Sequence, residues 1–147
     1  MEPANVDEEY KPILLIEDDP DDEQHILQAF RKNDMDHIVH VTRDGAEALE
    51  YLFGSLEKPY LRSPPPKLVL LDLRLPRIDG LEVLQKIRQH PDSQHLSVIV
   101  FTASRDQKDR EKATVLEIDG YFLKPEDEKD FPKIMEKIGL TWLIENQ

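Results

Sequence analysis

Residues 68–73, LVLLDL, limit most sharply the folds open to this chain: an apolar run interrupted by a single aspartate near its end. A strand with no polar side must be buried on both faces, the condition of a central strand in a parallel sheet with helices on either side. ILLI at Ile13–Ile16 and VIVFT at Val98–Thr102 repeat the pattern, and residues 38–42 and Gly120–Leu123 supply two shorter strands. Between these runs, apolar residues recur at helical spacing: Ile26, Leu27 and Phe30; Ala48, Leu49 and Leu52; Leu81, Leu84 and Ile87; a stretch over 106–118; and Phe131, Ile134, Met135 and Ile138. Asp19 and Pro20 read as N-cap and first helical residue, with Asp21 and Asp22 as acids of the first turn.

Five successive strand–helix units predict an α/β domain, a doubly wound (βα)5 parallel sheet of the flavodoxin-like type with strand order 2-1-3-4-5. The 147 residues suit one domain, with a core over about 11–139, a short N-terminal extension and a C-terminal tail. Residues 54–66, ending in three prolines, read as a loop before the third strand. Trp142 and Leu143 in the tail suit either core packing or an exposed docking patch.

Composition removes several classes of function. The formal charge of −12, with Lys and Arg scattered among acids, opposes nucleic acid and anionic membranes. Without cysteine there is neither a disulfide framework nor a thiolate metal site. No apolar run approaches the roughly 20 residues that span a bilayer, and the start has no signal-peptide pattern, so the expected location is the cytoplasm. His37 and His40 read as surface residues, since no carboxylate completes a metal site with them.

The informative polar residues are those that interrupt apolar strands. Glu17, Asp18 and Asp19 follow the first strand, Asp72 lies near the end of the third, Thr102 ends the fourth and Lys124 follows the fifth. In an open α/β sheet these carboxyl ends share one edge, where ligands bind. Carboxylates about 4 Å apart repel by about 4 kcal/mol at an effective dielectric near 20, and a hard divalent ion such as Mg²⁺ relieves that repulsion through oxygen ligands. Mg²⁺ and Lys124 together offset the charge on a transferring phosphoryl group, and Asp72, deepest in an apolar strand, is the natural nucleophile for an aspartyl phosphate.

EDD after the first strand, LLDLRLPRIDG around Asp72, FTAS at the end of the fourth and GYFLKP at the end of the fifth closely resemble the receiver domain of bacterial response regulators, over roughly residues 11–139. The resemblance implies residue roles: Asp72 as phosphoacceptor and metal ligand, Asp18 as direct metal ligand, Glu17 acting through a bound water, and the Arg74 backbone carbonyl as the third protein ligand. It also implies Thr102 as the switch hydroxyl, Lys124 as the ammonium paired with the phosphoryl group, Pro125 following a cis peptide, and Tyr121 as the aromatic that changes rotamer. The Arg74 side chain departs from commoner receivers and could shield the phosphoryl group; Ser97, where many carry proline, is neutral.

The loop and the Trp-containing tail resemble phytochrome-associated, single-domain response regulators. The implied partner is a sensor histidine kinase, in the narrower reading a phytochrome. A histidine phosphotransfer protein and a second copy of the chain are further partners the resemblance allows. The implied role is phosphoryl acceptance in a two-component relay, with signalling by shape change rather than enzymatic turnover.

Two other classes fit less well. A haloacid-dehalogenase-type phosphatase needs a second aspartate where Arg74 stands, and arginine cannot exchange protons usefully. A flavodoxin-type flavin binder needs a Ser/Thr/Gly-rich phosphate loop where this chain has EDDPDD. A pseudo-receiver would lack part of the set Glu17, Asp18, Asp72, Thr102 and Lys124, and this chain has all five.

Overall fold

The computed structural model describes residues 11–54 and 64–145, and side chains as far as Trp142. The N-terminal extension, most of the 54–66 loop and the Leu143 side chain therefore lie outside the described residues. Five parallel strands, β1 (Ile13–Ile16), β2 (Val39–Thr42), β3 (Leu68–Leu71), β4 (Val98–Thr102) and β5 (Gly120–Leu123), form one sheet in the order β2-β1-β3-β4-β5. This is the predicted flavodoxin-like topology. Five helices connect and cover it: α1 (Pro20–Arg31), α2 (Gly45–Phe53), α3 (Gly80–Gln89), α4 (Gln107–Val115) and α5 (Phe131–Glu145).

Strand pleat divides the core. Leu14, Ile16, Val69, Leu71, Val98 and Val100 pack with Ala48, Val83, Leu84, Ile87 and Ala113 of α2, α3 and α4. Their neighbours Ile13, Leu15, Leu68, Leu70, Ile99 and Phe101 pack with Ile26 of α1 and Phe131, Met135 and Ile138 of α5. Both faces of β1, β3 and β4 are thus dry, which is why these strands read as continuous apolar runs rather than alternating ones.

Three local features differ from the sequence reading. β3 ends at Leu71, so Asp72 is the first residue beyond it, although its N–H still continues the ladder to the Ile16 carbonyl at 3.1 Å. The expected tail is helical, because α5 runs through Gly139 to Glu145. Phe131, Met135, Ile138 and Trp142 recur at three- and four-residue spacing, and Trp142 packs against the α1/α5 side of the core; that burial outweighs the helix cost of a glycine, about 1 kcal/mol. Trp142 is accordingly half-buried and packs against the core, as the first of its two expected roles requires. The cis peptide expected before Pro125 is absent: no cis bond occurs among the described residues, and the Lys124–Pro125 bond takes the trans form, which X–Pro bonds favour by about 0.5–1 kcal/mol.

The loop after β3 is held closely. The Gly80 N–H donates to the Leu73 carbonyl at 3.1 Å, and a Cβ on Gly80 would lie 2.3 Å from the Asp72 carbonyl oxygen and 2.5 Å from the Leu73 Cα. These neighbours are backbone and cannot rotate aside. Gly80→Ala is expected to cost about 3 kcal/mol in urea unfolding, at the upper end for an overpacked site. Wild-type stability in this variant would mean that the loop after β3 is not rigid.

Candidate functional site

Glu17, Asp72, Thr102 and Lys124, predicted from four separate stretches of chain, converge at the carboxyl edge of the sheet and are all buried. Thr102 donates its hydroxyl to Asp72 Oδ1 at 2.7 Å, and the Arg74 N–H donates to the same oxygen at 3.1 Å. Lys124 Nζ lies 2.8 Å from Asp72 Oδ2, 2.8 Å from Glu17 Oε1 and 2.7 Å from Asp22 Oδ2. Register explains the convergence. β5 pairs with β4 so that Leu123 lies beside Thr102, and the Lys124 N–H continues the ladder to the Thr102 carbonyl at 2.8 Å.

Glu17, Asp18 and Asp72 each offer a carboxylate oxygen within 4.8 Å of the others. Asp18 is exposed at the mouth, whereas Glu17 is only 1% exposed. Burial, and next the neighbouring Asp72 charge, push the Glu17 carboxyl up to about 8, against the smaller opposing pull of Lys124. Burial works to depress the Lys124 ammonium, but the charges of Asp72 and Glu17 outweigh it and raise its pKa above the ordinary lysine value. An excess of buried carboxylate that one ammonium does not fully compensate is the donor set a hard divalent cation fits, with oxygen ligands and an open, solvent-facing side.

Sequence reasoning placed Asp19 correctly as the cap of α1, accepting from the Asp21 and Asp22 N–H groups at 2.8 and 3.2 Å. It missed the Asp22 side chain, which turns inward to Lys124. It also missed Ser104, whose N–H donates to Thr102 Oγ1 at 3.2 Å and whose carbonyl accepts from the Tyr121 hydroxyl at 3.2 Å. Ser104 stands in the FTAS motif, two residues after Thr102, and that proximity was the available signal. The Arg74 guanidinium does not reach back over Asp72. It pairs with Asp109 of α4 at 2.8 Å and donates to Ser104 Oγ at 3.2 Å, tying the loop after β3 to α4. Tyr121 is half-buried, with the Arg110 guanidinium 5.2 Å from its ring centre.

Comparison with known proteins identifies the family. The family model described as the response regulator receiver domain matches residues 13–136. The chain belongs to the response-regulator receiver family. It is 37% identical over 133 residues to the response regulator Rcp1 of Synechocystis sp., covering 90% of this chain and 89% of that one. The crystal structure of the phosphorylated cyanobacterial phytochrome response regulator RcpA superposes with a TM-score of 0.82 at 34% identity, over 91% of this chain and 94% of that one. The Mn(2+)-bound form of Rcp1 gives the same TM-score at 36% identity, over 90% and 94%. This receiver chain is thus a two-component signalling protein rather than a conventional enzyme, from a family that binds divalent metal, and it carries an acidic cluster of Glu17, Asp18 and Asp72.

Proposed function

We propose that this receiver accepts a phosphoryl group on Asp72 from a sensor histidine kinase and works as one receiver unit that signals through protein contacts. The observation that carries the reading is the environment of Asp72. One carboxylate oxygen is bonded to Thr102 and the other to Lys124, with Glu17 and Asp18 completing an acidic cluster beside it. A divalent ion, Mg²⁺ in the cell, would be held by Asp18, Asp72 and the Arg74 carbonyl, with Glu17 acting through water. When bound it supplies positive charge to the phosphoryl oxygens and the carboxylate repulsion is relieved.

The remaining work falls to the chain's own groups. An Asp72 oxygen attacks the phosphorus of the donor, the P–O or P–N bond to the leaving group breaks, and the leaving group departs with that electron pair. Lys124 pairs with the phosphoryl oxygens and Thr102 donates its hydroxyl to one of them. Self-catalysed loss of the phosphoryl group to water completes the cycle. The likeness to Rcp1 and RcpA favours a phytochrome as the kinase.

Ser104 supports a path outward, since its backbone joins the Thr102 hydroxyl to the Tyr121 hydroxyl. If Thr102 follows a phosphoryl oxygen inward, Ser104 loses its acceptor and Tyr121 its anchor, and the surface of α4, β5 and α5 changes. Such couplings are typically about 1–3 kcal/mol. No helix among the described residues is long and apolar enough to cross a membrane, and action in the cytoplasm is part of this reading.

The direct test is incubation with acetyl phosphate and Mg²⁺ followed by intact mass measurement. One added phosphoryl group is expected, and none when the metal is chelated. A protein that stays unmodified at saturating donor and Mg²⁺ would refute the assignment.

A further inference from the structure

We infer that Asp22, on the first turn of α1, is a positioning residue for phosphoryl transfer: it holds the Lys124 ammonium toward the mouth of the site, where the phosphoryl group arrives. The inference rests on the acceptor role of Asp72 and adds a fourth acid with a distinct task. An ammonium has three N–H groups, and Lys124 has three carboxylate neighbours at 2.7–2.8 Å, namely Glu17, Asp22 and Asp72. Each N–H is committed, so the position of Nζ is set by all three acids together.

The three acids are not equivalent. Glu17 and Asp72 sit 1% and 4% exposed at the base of the crevice and belong to the acidic cluster. The Asp22 side chain is 21% exposed and stands outside that cluster, on the helix that rims it. With Asp22 absent, the two deep carboxylates alone would draw Nζ inward, against the nucleophile. Asp22 also remains a full partner when Glu17 and Asp72 engage a cation or a phosphoryl group, so Lys124 stays aimed as its other contacts change.

The α1 cap does not depend on this side chain. Asp22 contributes only its N–H to Asp19, so Asp22→Ala removes the Lys124 contact, Asp22→Asn weakens it to a neutral one, and both leave the cap in place. Two physical roles predict opposite signs. A merely repulsive acid near an anionic donor would slow transfer, so its removal would speed labelling. A positioning acid does the reverse.

The test follows labelling by acetyl phosphate in saturating Mg²⁺, with donor concentration varied. Asp22→Ala should lower the maximal rate constant about tenfold with little change in half-saturation, and Asp22→Asn, which keeps an acceptor oxygen, should lose less. In metal-free protein, the Lys124 ammonium should give a slowly exchanging proton–nitrogen NMR correlation in wild type that broadens in Asp22→Ala. Labelling of Asp22→Ala as fast as wild type or faster, or an unchanged ammonium signal, overturns the role. Wild type that takes up no phosphoryl group overturns the acceptor assignment and this role with it.

Discussion

Asp72→Asn protein is expected to take up no phosphoryl group from acetyl phosphate and Mg²⁺ under conditions that fully label wild type. An amide has neither the charge nor the nucleophilicity of a carboxylate, and no other acid here replaces it. Glu17 is the nearest candidate by burial, but it carries a raised pKa and is bonded to Lys124. Asp18 is exposed and lacks the Thr102 and Lys124 contacts that Asp72 has. The variant should remain folded, because Asn keeps the shape of Asp and can still accept from Lys124. A second consequence separates electrostatics from simple loss of a residue. The Asp72 charge is the second cause of the raised Glu17 pKa, so that pKa should fall in the variant, readable by carbon NMR of the Glu17 carboxyl. Phosphate appearing on another residue of Asp72→Asn at the wild-type rate would exclude Asp72 as the acceptor.

How much of this was legible beforehand depended on the distance over which each residue's role is decided. The strands could be read because their burial on both faces leaves a local mark, as in ILLI and VIVFT. Asp72, Thr102 and Lys124 were legible because each interrupts or ends such a run, and a parallel sheet collects strand ends at one edge. Asp22 was not. Its neighbours PDDEQ give a complete local account as the first turn of a helix, and its contact with Lys124 depends on how α1 docks beside the end of β5, most of the chain away in sequence. The expected tail was misread for a related reason: past Ile138 the local sequence does not show that the helix goes on, and only the packing of Trp142 on the same side of the core as Ile138 and Met135 shows why it continues. The trans Lys124–Pro125 bond lay beyond a reading built on family likeness, since a residue type does not choose its own isomer.

Lys124→Met should produce the largest stability change of any single substitution at the site, and one that depends on pH. Methionine has similar length and leaves Glu17, Asp22 and Asp72 facing one another with no cation among them. Removing one partner of a buried ion pair costs about 3–5 kcal/mol, and metal-free variant protein should lose stability of this order in urea unfolding. The sign of the pH effect follows from Glu17. Its folded pKa of about 8 lies above the ordinary 4.5, so the folded state holds a proton that the unfolded chain has released. That contribution is fully present below about 4.5 and is lost as pH rises through the folded pKa. Lys124 is among the groups that lower the Glu17 pKa, so its removal moves that pKa higher still. The Glu17 contribution in wild type is therefore exhausted by about pH 8, while the variant continues to lose stability beyond it, and the gap between the two widens. Adding Mg²⁺ should narrow the gap, because the metal supplies positive charge to the same carboxylates. A gap of equal size at about pH 6.5 and about pH 9 would show that Glu17 is not coupled to Lys124, and the electrostatic account of the site would fail with it.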